Sequence, residues 1–232
     1  MSSETTATFI NEVRTKIFNQ PLFNQYRFEI LTDEKQLWEH YDRATFASLP
    51  LDLYFSDKEF ITDNQRQKLD LLRPADTHFT LKDSLLIRDN TTNQVIALYH
   101  GWQKSFDSYY MQTTFVHKDY RRKQIYSALL DRILEYTKIL GFNQVLSCHS
   151  PCNNAIIIAK LKKDFKIIGM DIDACLGTNV WLGYFHNEGL KRAFEFRCSH
   201  ITFNEKLVSA SQGTAELLSQ ELAAANQHYK SK

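Results

Sequence analysis

The stretch TTFVHKDYRRKQIYSALLDRIL, Thr113–Leu134, decides the fold, because an apolar strand ends in it and an amphipathic helix begins. Three cations, Arg121, Arg122 and Lys123, stand at that junction. A helix N-terminus disfavours positive charge by up to ~1 kcal/mol for each cation. The first N–H groups of a helix have no intrahelical partner, however, and they form a cradle for phosphate oxygens. The junction therefore predicts either a site for a diphosphate, with the cations as charge-assisted partners, or a solvated basic turn.

The helix itself is predicted over residues 122–140, where Ile125, Leu129 and Ile133 repeat at helical spacing. Gly141 follows it as a stop. Around this helix, the order from Thr80 to Asn187 is strand, strand, strand, helix, strand, helix, strand, strand. Antiparallel strands joined to a strand–helix–strand unit predict an α/β or α+β sheet with helices packed on it. The predicted strands are FTLKDSLLIRD, QVIALYHGW, SYYMQTTFV, FNQVLSCH, FKIIGMDI and NVWLGYFHN, and the second helix is NNAIIIAKLKK.

Both ends of the chain predict helices. Residues 4–18 carry apolar side chains four positions apart, and a second helix is predicted to start near Asp33. The tail GTAELLSQELAAANQHY is also a good helix former. Between the second helix and the first strand lies LPLDLYFSDKEFITDN, an aromatic and acidic segment without a clean period.

Composition limits the classes of function. The net charge of +1 lacks the basic excess that is typical of nucleic-acid and anionic-membrane binders, so we expect neither partner. The longest apolar runs fall far short of the roughly 20 residues that a spanning helix needs. The N-terminus lacks the pattern of a secretion signal. The four cysteines are irregularly spaced and predict free thiols in a reducing cytoplasm.

Two segments carry a resemblance to a known family. VHKDYRRKQIYSALL resembles motif A of the GNAT acetyltransferase superfamily, in which a strand ends in Val-x-Pro-x-Tyr-Arg before a glycine-containing loop and a helix reading Ser/Ala-x-Leu-Leu. HSPCNNAIIIAKLKKDFKIIG resembles motif B, in which an Asn opens a short helix that ends before Gly-Phe. The matching residues are Val116, Tyr120, Arg121, Ser127, Leu129 and Leu130 in motif A and Asn153 or Asn154 with Phe165 in motif B.

The resemblance implies a GNAT-like mixed, mostly antiparallel sheet, flanked by helices, whose two central strands splay apart. It also implies a domain over residues 31–190, with an N-terminal helical extension over 1–30 and a C-terminal extension over 191–232 that ends in a helix. In that family acetyl-CoA enters between the splayed strands, and loop N–H groups hold its pyrophosphate. The residues expected to bind acetyl-CoA are Thr114, Phe115, Val116, Arg121, Arg122, Lys123, Gln124, Ile125, Tyr126, Asn153 and Asn154.

The chain departs from the family pattern at several positions. Gln124 stands where the loop glycine is expected, which predicts a shifted or weakened phosphate grip, because glycine alone has no Cβ. Tyr126 stands at a Gly/Ala position, where we expect a helical and unstrained backbone. Lys160 occupies the place of the tyrosine that often protonates the departing thiolate, and Asp164 replaces the glycine before Phe165.

Three residues are candidates for catalysis. His149, at the end of the second splayed strand, has the pKa range of a base near neutrality, although a surface or capping histidine is the alternative. Tyr110 is a candidate acid or substrate-orienting group, with a core tyrosine as the alternative. Lys160 is a candidate proton donor, with pairing to the cofactor's phosphates as the alternative. Cys148 and Cys152 flank His149, but no second pair of ligands follows at suitable spacing, so no metal is predicted.

The amine acceptor is expected under the loop after the first domain helix, where Asp52, Tyr54 and Asp57 would attract and wall a cation. The alternative is a solvated acidic loop. The leading hypothesis is an acyl-CoA-dependent N-acyltransferase that acts on a small-molecule or peptide amine. Two other hypotheses are a non-catalytic domain that binds acyl-CoA and a protein-interaction module that docks through its terminal helices. Those helices also permit a homodimer.

Overall fold

The computed structural model describes residues 3–47, 81–173, 177–198 and 220. The chain divides into two compact units, residues 1–184 and 185–232. The helices are α1 Ser3–Phe18, α2 Glu34–Glu39, α3 Arg43–Phe46, α4 Ile125–Ile139, α5 Asn154–Leu161 and α6 Glu188–Arg197. The strands are β1 Tyr26–Leu31, β2 Lys82–Asp89, β3 Val95–Gln103, β4 Ser108–Val116, β5 Gln144–His149, β6 Lys166–Asp173 and β7 Gly177–Phe185.

The seven strands form one sheet in the order β1-β2-β3-β4-β5-β7-β6. Neighbours from β1 to β4 are antiparallel, β4 and β5 are parallel, and β6 and β7 are antiparallel. The predicted fold class, a mixed and mostly antiparallel sheet with flanking helices, is therefore confirmed.

The main core lies on one face of the sheet, under α1 and α4. Ile17 of α1 and Leu129 of α4 pack there with Tyr99, Tyr109 and other strand residues that are almost fully buried. A smaller cluster on the other face contains Leu37, Phe46, Leu86 and Leu98. Because side chains alternate between the faces of a strand, neighbouring residues of β3 and β4 enter different environments.

Local sequence explains where several elements begin and end. Asp33 caps α2 by accepting a hydrogen bond from Lys35 N at 2.9 Å, which confirms the predicted helix start. Gly141, with φ +89°, lies just beyond the end of α4, as predicted. The β2–β3 hairpin turns through Asn93 at φ +60°, with the Asp89 carboxylate accepting from Thr91 N.

The N-terminal part of the chain contains a strand that sequence analysis missed. α1 confirms the predicted first helix, but β1 then pairs antiparallel with β2 along its whole length. Val13, Ile17 and Phe18 of α1 are buried in the main core. The division at residues 30 and 190 stays a prediction.

The second unit begins at Phe185, and α6 is its described helix. Asn187 caps α6 by accepting from Leu190 N at 3.0 Å, and Arg192 pairs with Glu188 at 3.0 Å one turn away. Phe185 packs against Phe194 with ring centroids 5.3 Å apart. The predicted C-terminal tail helix, apart from residue 220, and the acidic loop after α3 lie outside the described residues. Within the described ranges, no helix is long and apolar enough to cross a bilayer.

Candidate acyl-CoA site

A cavity of about 590 Å³ lies where the end of β4 meets the first turns of α4 and α5. It brings together ten of the eleven residues that the sequence predicted for acetyl-CoA, all except Lys123. Sequence analysis did not assign the other lining residues to the site: Phe46, Tyr120, Ser127, Cys152, Ala155, Ile156 and Ala159. Most of these are neighbours of predicted residues, so the two motifs locate the cavity and the fold completes its walls.

The β4 strand provides one wall of the cavity because it parts from β5. The two strands pair only from Ser108↔Gln144 to Tyr110↔Leu146. Beyond Tyr110, β4 remains paired with β3 on its other side, as far as Val116. The cavity-lining residues Thr114–Val116 follow this point, so their backbone edge toward β5 is available for a ligand.

The turn before α4 has the left-handed backbone that glycine usually provides. Arg122 and Gln124 have φ values of +62° and +61°. Gln124 is the N-cap of α4, and its side chain makes no capping hydrogen bond. The first amides of α4 belong to Ile125, Tyr126 and Ser127, and all three residues line the cavity. This is the arrangement of donors that phosphate oxygens prefer.

The three cations of the turn have different surroundings. The Arg121 guanidinium donates to the backbone carbonyls of Val116 at 3.1 Å, Phe46 at 3.1 Å and Ala47 at 2.9 Å, so it ties α3 to the end of β4. Lys123 lies with Nζ 4.6 Å from the Tyr120 ring centroid and does not line the cavity. Arg122, like Arg121, lines the cavity.

The helix boundaries differ from the predicted ones in one respect. The sequence predicted helix from residue 122, but residues 118–120 form a 3₁₀ turn and α4 begins at Ile125. Tyr126 is helical, as predicted. Asn153 is the N-cap of α5 without a side-chain capping bond, and it lines the cavity together with Asn154. The residues at the starts of α4 and α5 therefore line the same cavity.

Lys160 lies behind the cavity wall rather than in it. Its side chain is fully buried, with Nζ 3.6 Å from the Met111 sulfur and 4.8 Å from the Phe165 ring centroid. Burial lowers the pKa of Lys160 to about 7, so that the amine is close to half-protonated at neutral pH. Met111 is the first β4 residue beyond the pairing with β5, so this amine lies where the strands part.

His149 is close enough to Lys160 for their charges to interact. Burial, with a smaller contribution from the Lys160 charge, lowers the pKa of His149 to about 3, so the imidazole is neutral near pH 7. His149 Nε2 and Ser147 Oγ are buried without a hydrogen-bond partner among the described residues. Ser147, His149 and Lys160 are not among the residues that line the cavity.

Tyr110 lies on the other face of the sheet from the main core. Its ring centroid is 5.1 Å from that of Trp102 and 5.7 Å from that of Trp181. Burial raises the pKa of Tyr110 to about 12, which keeps the phenol protonated. Trp102 and Trp181 were not identified from the sequence, because only the strand order brings β3, β4 and β7 together.

The remaining predictions concern the acceptor loop, the cysteines and a metal site. Asp52, Tyr54 and Asp57 lie outside the described residues. Cys148, Cys152 and Cys198 are free thiols. Across residues 3–47, 81–173 and 177–198, no group of three or more His, Cys, Asp or Glu side chains is arranged to hold a metal ion.

Comparison with known proteins identifies a matching family. The family model described as Acetyltransferase (GNAT) family matches residues 34–159, which include α2, β2–β5 and nearly all of α5. No curated protein is significantly similar to the chain.

Solved structures that are similar to the chain share little sequence with it. A candidate acetyltransferase from Acinetobacter baylyi has a TM-score of 0.50 at 13% identity, over 70% of this chain and 93% of that one. The ribosomal-protein-S18-alanine N-acetyltransferase from Escherichia coli has a TM-score of 0.48 at 14% identity, over 69% and 93%. The spermidine N-acetyltransferase from Vibrio cholerae in complex with CoA and spermine has a TM-score of 0.48 at 12% identity, over 70% and 96%.

Proposed function

Because the chain belongs to the acetyltransferase (GNAT) family, we propose that it transfers an acetyl group from acetyl-CoA to a primary amine of a small molecule or peptide. The observation that carries the proposal is the single cavity shared by the α4 N-terminus, Asn153, Asn154 and the unpaired edge of β4. These parts match the three chemical regions of an acyl-CoA: its diphosphate, its amide-bearing arm and its thioester.

The diphosphate is proposed to bind the first amides of α4. The left-handed backbone at Gln124 supports this, since it gives the turn the shape that a glycine would give. Arg122 adds positive charge to the cavity, whereas Arg121 supports the turn through its three carbonyl contacts. The arm would then follow Thr114–Val116 and pair with the free edge of β4.

The reaction requires a neutral amine, a polarised carbonyl and a proton for the thiolate. The amine nitrogen bonds to the acyl carbon as the carbon–sulfur bond breaks, and one proton leaves nitrogen while another reaches sulfur. Lys160 is proposed as the proton donor, since an amine whose pKa is about 7 gives up a proton readily near neutrality. His149 is proposed to accept a hydrogen bond through its buried Nε2, because its lowered pKa makes it a weak base. Tyr110 is proposed to orient the acceptor.

A second candidate is a domain that binds acyl-CoA without catalysis. Two observations favour it: a side chain stands at the glycine position of the phosphate turn, and the Lys160 amine contacts Met111 behind the cavity wall. The free thiols at Cys148, Cys152 and Cys198 support the further proposal that the protein works in a reducing compartment.

The experiment compares binding and turnover in the same protein. Acetyl-CoA at 100 times its dissociation constant should raise the free energy of unfolding by about 2.7 kcal/mol. A transferase also releases free thiol in the presence of amines, and a binding-only domain does not. Arg122→Glu should weaken acetyl-CoA binding at least tenfold, as measured by calorimetry. Lys123→Glu makes the same change of charge at a residue that does not line the cavity, so it is the control. Equal losses in the two variants, or no stabilisation by acetyl-CoA, would contradict the proposed site.

A further inference from the structure

Three aromatic rings from three strands meet on the sheet face opposite the main core. Trp102 of β3, Tyr110 of β4 and Trp181 of β7 form a continuous row with centroid separations of 5.1 Å and 5.7 Å. All three are half-buried, so the row is partly open to solvent. We call these three rings the aromatic seat.

The aromatic seat already holds a cation that belongs to the chain itself. Lys104 Nζ lies 3.9 Å from the Trp181 ring centroid and 5.1 Å from that of Tyr110. Lys104 is an exposed residue just beyond the end of β3, so its side chain is free to leave. Ring faces attract ammonium groups at these distances. The contact shows that the seat has the size and electrostatics to hold a primary alkylammonium.

Negative charge adjoins the seat. Trp181 Nε1 donates to the carboxylate of the exposed Asp171 at 2.8 Å, which places an anion at the edge of the indole. The Asp171 charge also acts on Tyr110, where it contributes to raising the pKa of the phenol after the larger effect of burial. A ligand that replaces Lys104 would therefore gain both ring contacts and a nearby carboxylate.

The nitrogen in the seat differs from the nitrogen that reacts. A ring face stabilises the charged form of an amine, whereas attack on a thioester requires the neutral form. The seat lies beside Tyr110, the last β4 residue that pairs with β5, and the cavity wall on β4 starts four residues later at Thr114. Four residues of strand span roughly 13 Å. An extended alkyl spacer of about nine carbons covers that distance between the two nitrogens.

From these observations we propose that the aromatic seat binds the second, cationic nitrogen of a diamine acceptor, which displaces Lys104. The inference rests on the proposed acetyl transfer for the identity of the reacting end. The seat itself is independent of that reaction, because its evidence is the Lys104 contact.

The first test uses acceptors that differ only in the second nitrogen. With 1,9-diaminononane, Trp181→Leu should raise KM roughly tenfold, and Trp181→Phe, which keeps a ring, should recover much of the loss. Nonylamine lacks the second ammonium, so its KM should hardly change. Lys104→Met should lower KM for the diamine, whereas Lys104→Arg, which keeps a cation, should not. Equal effects on the two amines would overturn the proposal.

The second test needs no acetyl transfer. Tetramethylammonium should quench the tryptophan fluorescence of the full chain, and it should bind more tightly to Lys104→Met. The quenching should persist in Trp38→Phe and fall in Trp181→Phe. Absence of quenching in both the wild type and Lys104→Met would overturn the seat even in an active transferase. Quenching without thiol release would support the seat and refute acetyl transfer.

Discussion

At the scale of single residues, Gly101 has no free space for a side chain. A Cβ built there would lie 2.5 Å from the Tyr99 hydroxyl and 2.6 Å from the Tyr109 hydroxyl. Both tyrosines are fully buried, and the Tyr99 hydroxyl donates to that of Tyr109 at 3.2 Å. A methyl group has no room at this position unless the hydrogen-bonded pair shifts.

Gly101→Ala should lower the free energy of unfolding by about 1–3 kcal/mol, measured by urea titration. Gly169→Ala is the matched control, because nothing lies within 4 Å of a Cβ there. Removing one hydroxyl with Tyr99→Phe should recover part of the loss in the double variant. An unchanged stability in Gly101→Ala would mean that the tyrosine pair moves freely.

Lys160 makes stability depend on pH. Its pKa of about 7 in the folded chain lies below the ordinary value of 10.5, so between these values only the unfolded chain holds the proton. Stability therefore increases with pH across this window, by up to about 1.4 kcal/mol per pH unit. Relative to Lys160→Met, the wild type should gain stability from pH 7 to pH 9.5. Lys162→Met, at an exposed position after the same helix, should show no such difference. If the free energies of unfolding of the wild type and Lys160→Met changed equally between pH 7 and pH 9.5, the buried amine would be contradicted.

The residue-scale features also show what sequence can predict. Thr114, Phe115 and Val116 line the cavity, where motif A fixes their place relative to the helix, and their binding of acetyl-CoA stays a prediction. The three carbonyls that bind Arg121 were not predictable, because two of them belong to residues more than 70 positions away. The depth of Lys160 depends on packing between α5, β4 and Phe165, which no local pattern records.

At the scale of elements, the turn into α4 combines two left-handed residues with an uncapped helix start. The sequence predicted a shifted or weakened grip on phosphate, since Gln124, a residue with a Cβ, replaces the expected glycine; that effect on binding stays a prediction. The structure shows that Gln124 adopts the left-handed backbone all the same. The cost for a residue with a Cβ is roughly 1 kcal/mol.

Gln124→Gly should therefore preserve or raise stability, by up to about 1 kcal/mol, because it removes the Cβ at φ +61°. Lys123→Gly is the control in the same turn. The φ of Lys123 is not positive, so glycine brings no relief of strain there. It should lower the free energy of unfolding by about 0.5–1 kcal/mol, because glycine gives the unfolded chain more conformational freedom. Urea titration of both variants gives the comparison. Equal destabilisation of the two would show that the left-handed geometry carries no strain.

β1 shows why one strand of the sheet was missed. Tyr26, Phe28 and Ile30 alternate with Arg27 and Glu29, which is the period of a half-buried strand. The run is only six residues long and follows directly on a helix and Pro21. A period-two count over this segment would have found it.

At the scale of the whole molecule, α1 is tied to the sheet through a buried carboxylate. Asp83 accepts hydrogen bonds from Arg14 at 2.8 Å, Tyr109 at 2.8 Å and Tyr136 at 3.0 Å. Burial raises the pKa of Asp83, and the Arg14 charge and these hydrogen bonds oppose that rise. One polar group thus joins α1, β2, β4 and α4.

Arg14→Met should destabilise the protein by about 3 kcal/mol, because it leaves the Asp83 charge buried without its cation. Lys16→Met removes the same charge from an exposed position of the same helix and should have little effect. Thermal unfolding measures both. Adding Asp83→Asn to Arg14→Met should recover part of the loss. Equal midpoints for the two single variants would show that α1 does not depend on this contact.

The order of elements was predictable from their periodicities, but the order of strands within the sheet was not. β7 lies between β5 and β6, and this placement brings Trp181 to Tyr110. The aromatic seat depends on that arrangement and on no motif. The residues that line the candidate acyl-CoA cavity come mostly from two motifs within about 50 residues of sequence, which is why the sequence could group them.

The early end of the β4–β5 pairing has a consequence for the kinds of molecule that the protein can admit. The gap between these strands is bordered by main-chain donors and acceptors at a fixed repeat, so it discriminates by backbone-like form as well as by charge. A flexible hydrocarbon of the same length would leave the main-chain N–H and C=O groups of the gap without hydrogen-bond partners. A chain with peptide-like linkages can form hydrogen bonds with them, as an added strand would. We therefore expect the gap to bind carriers with amide-bearing arms more tightly than simple lipids.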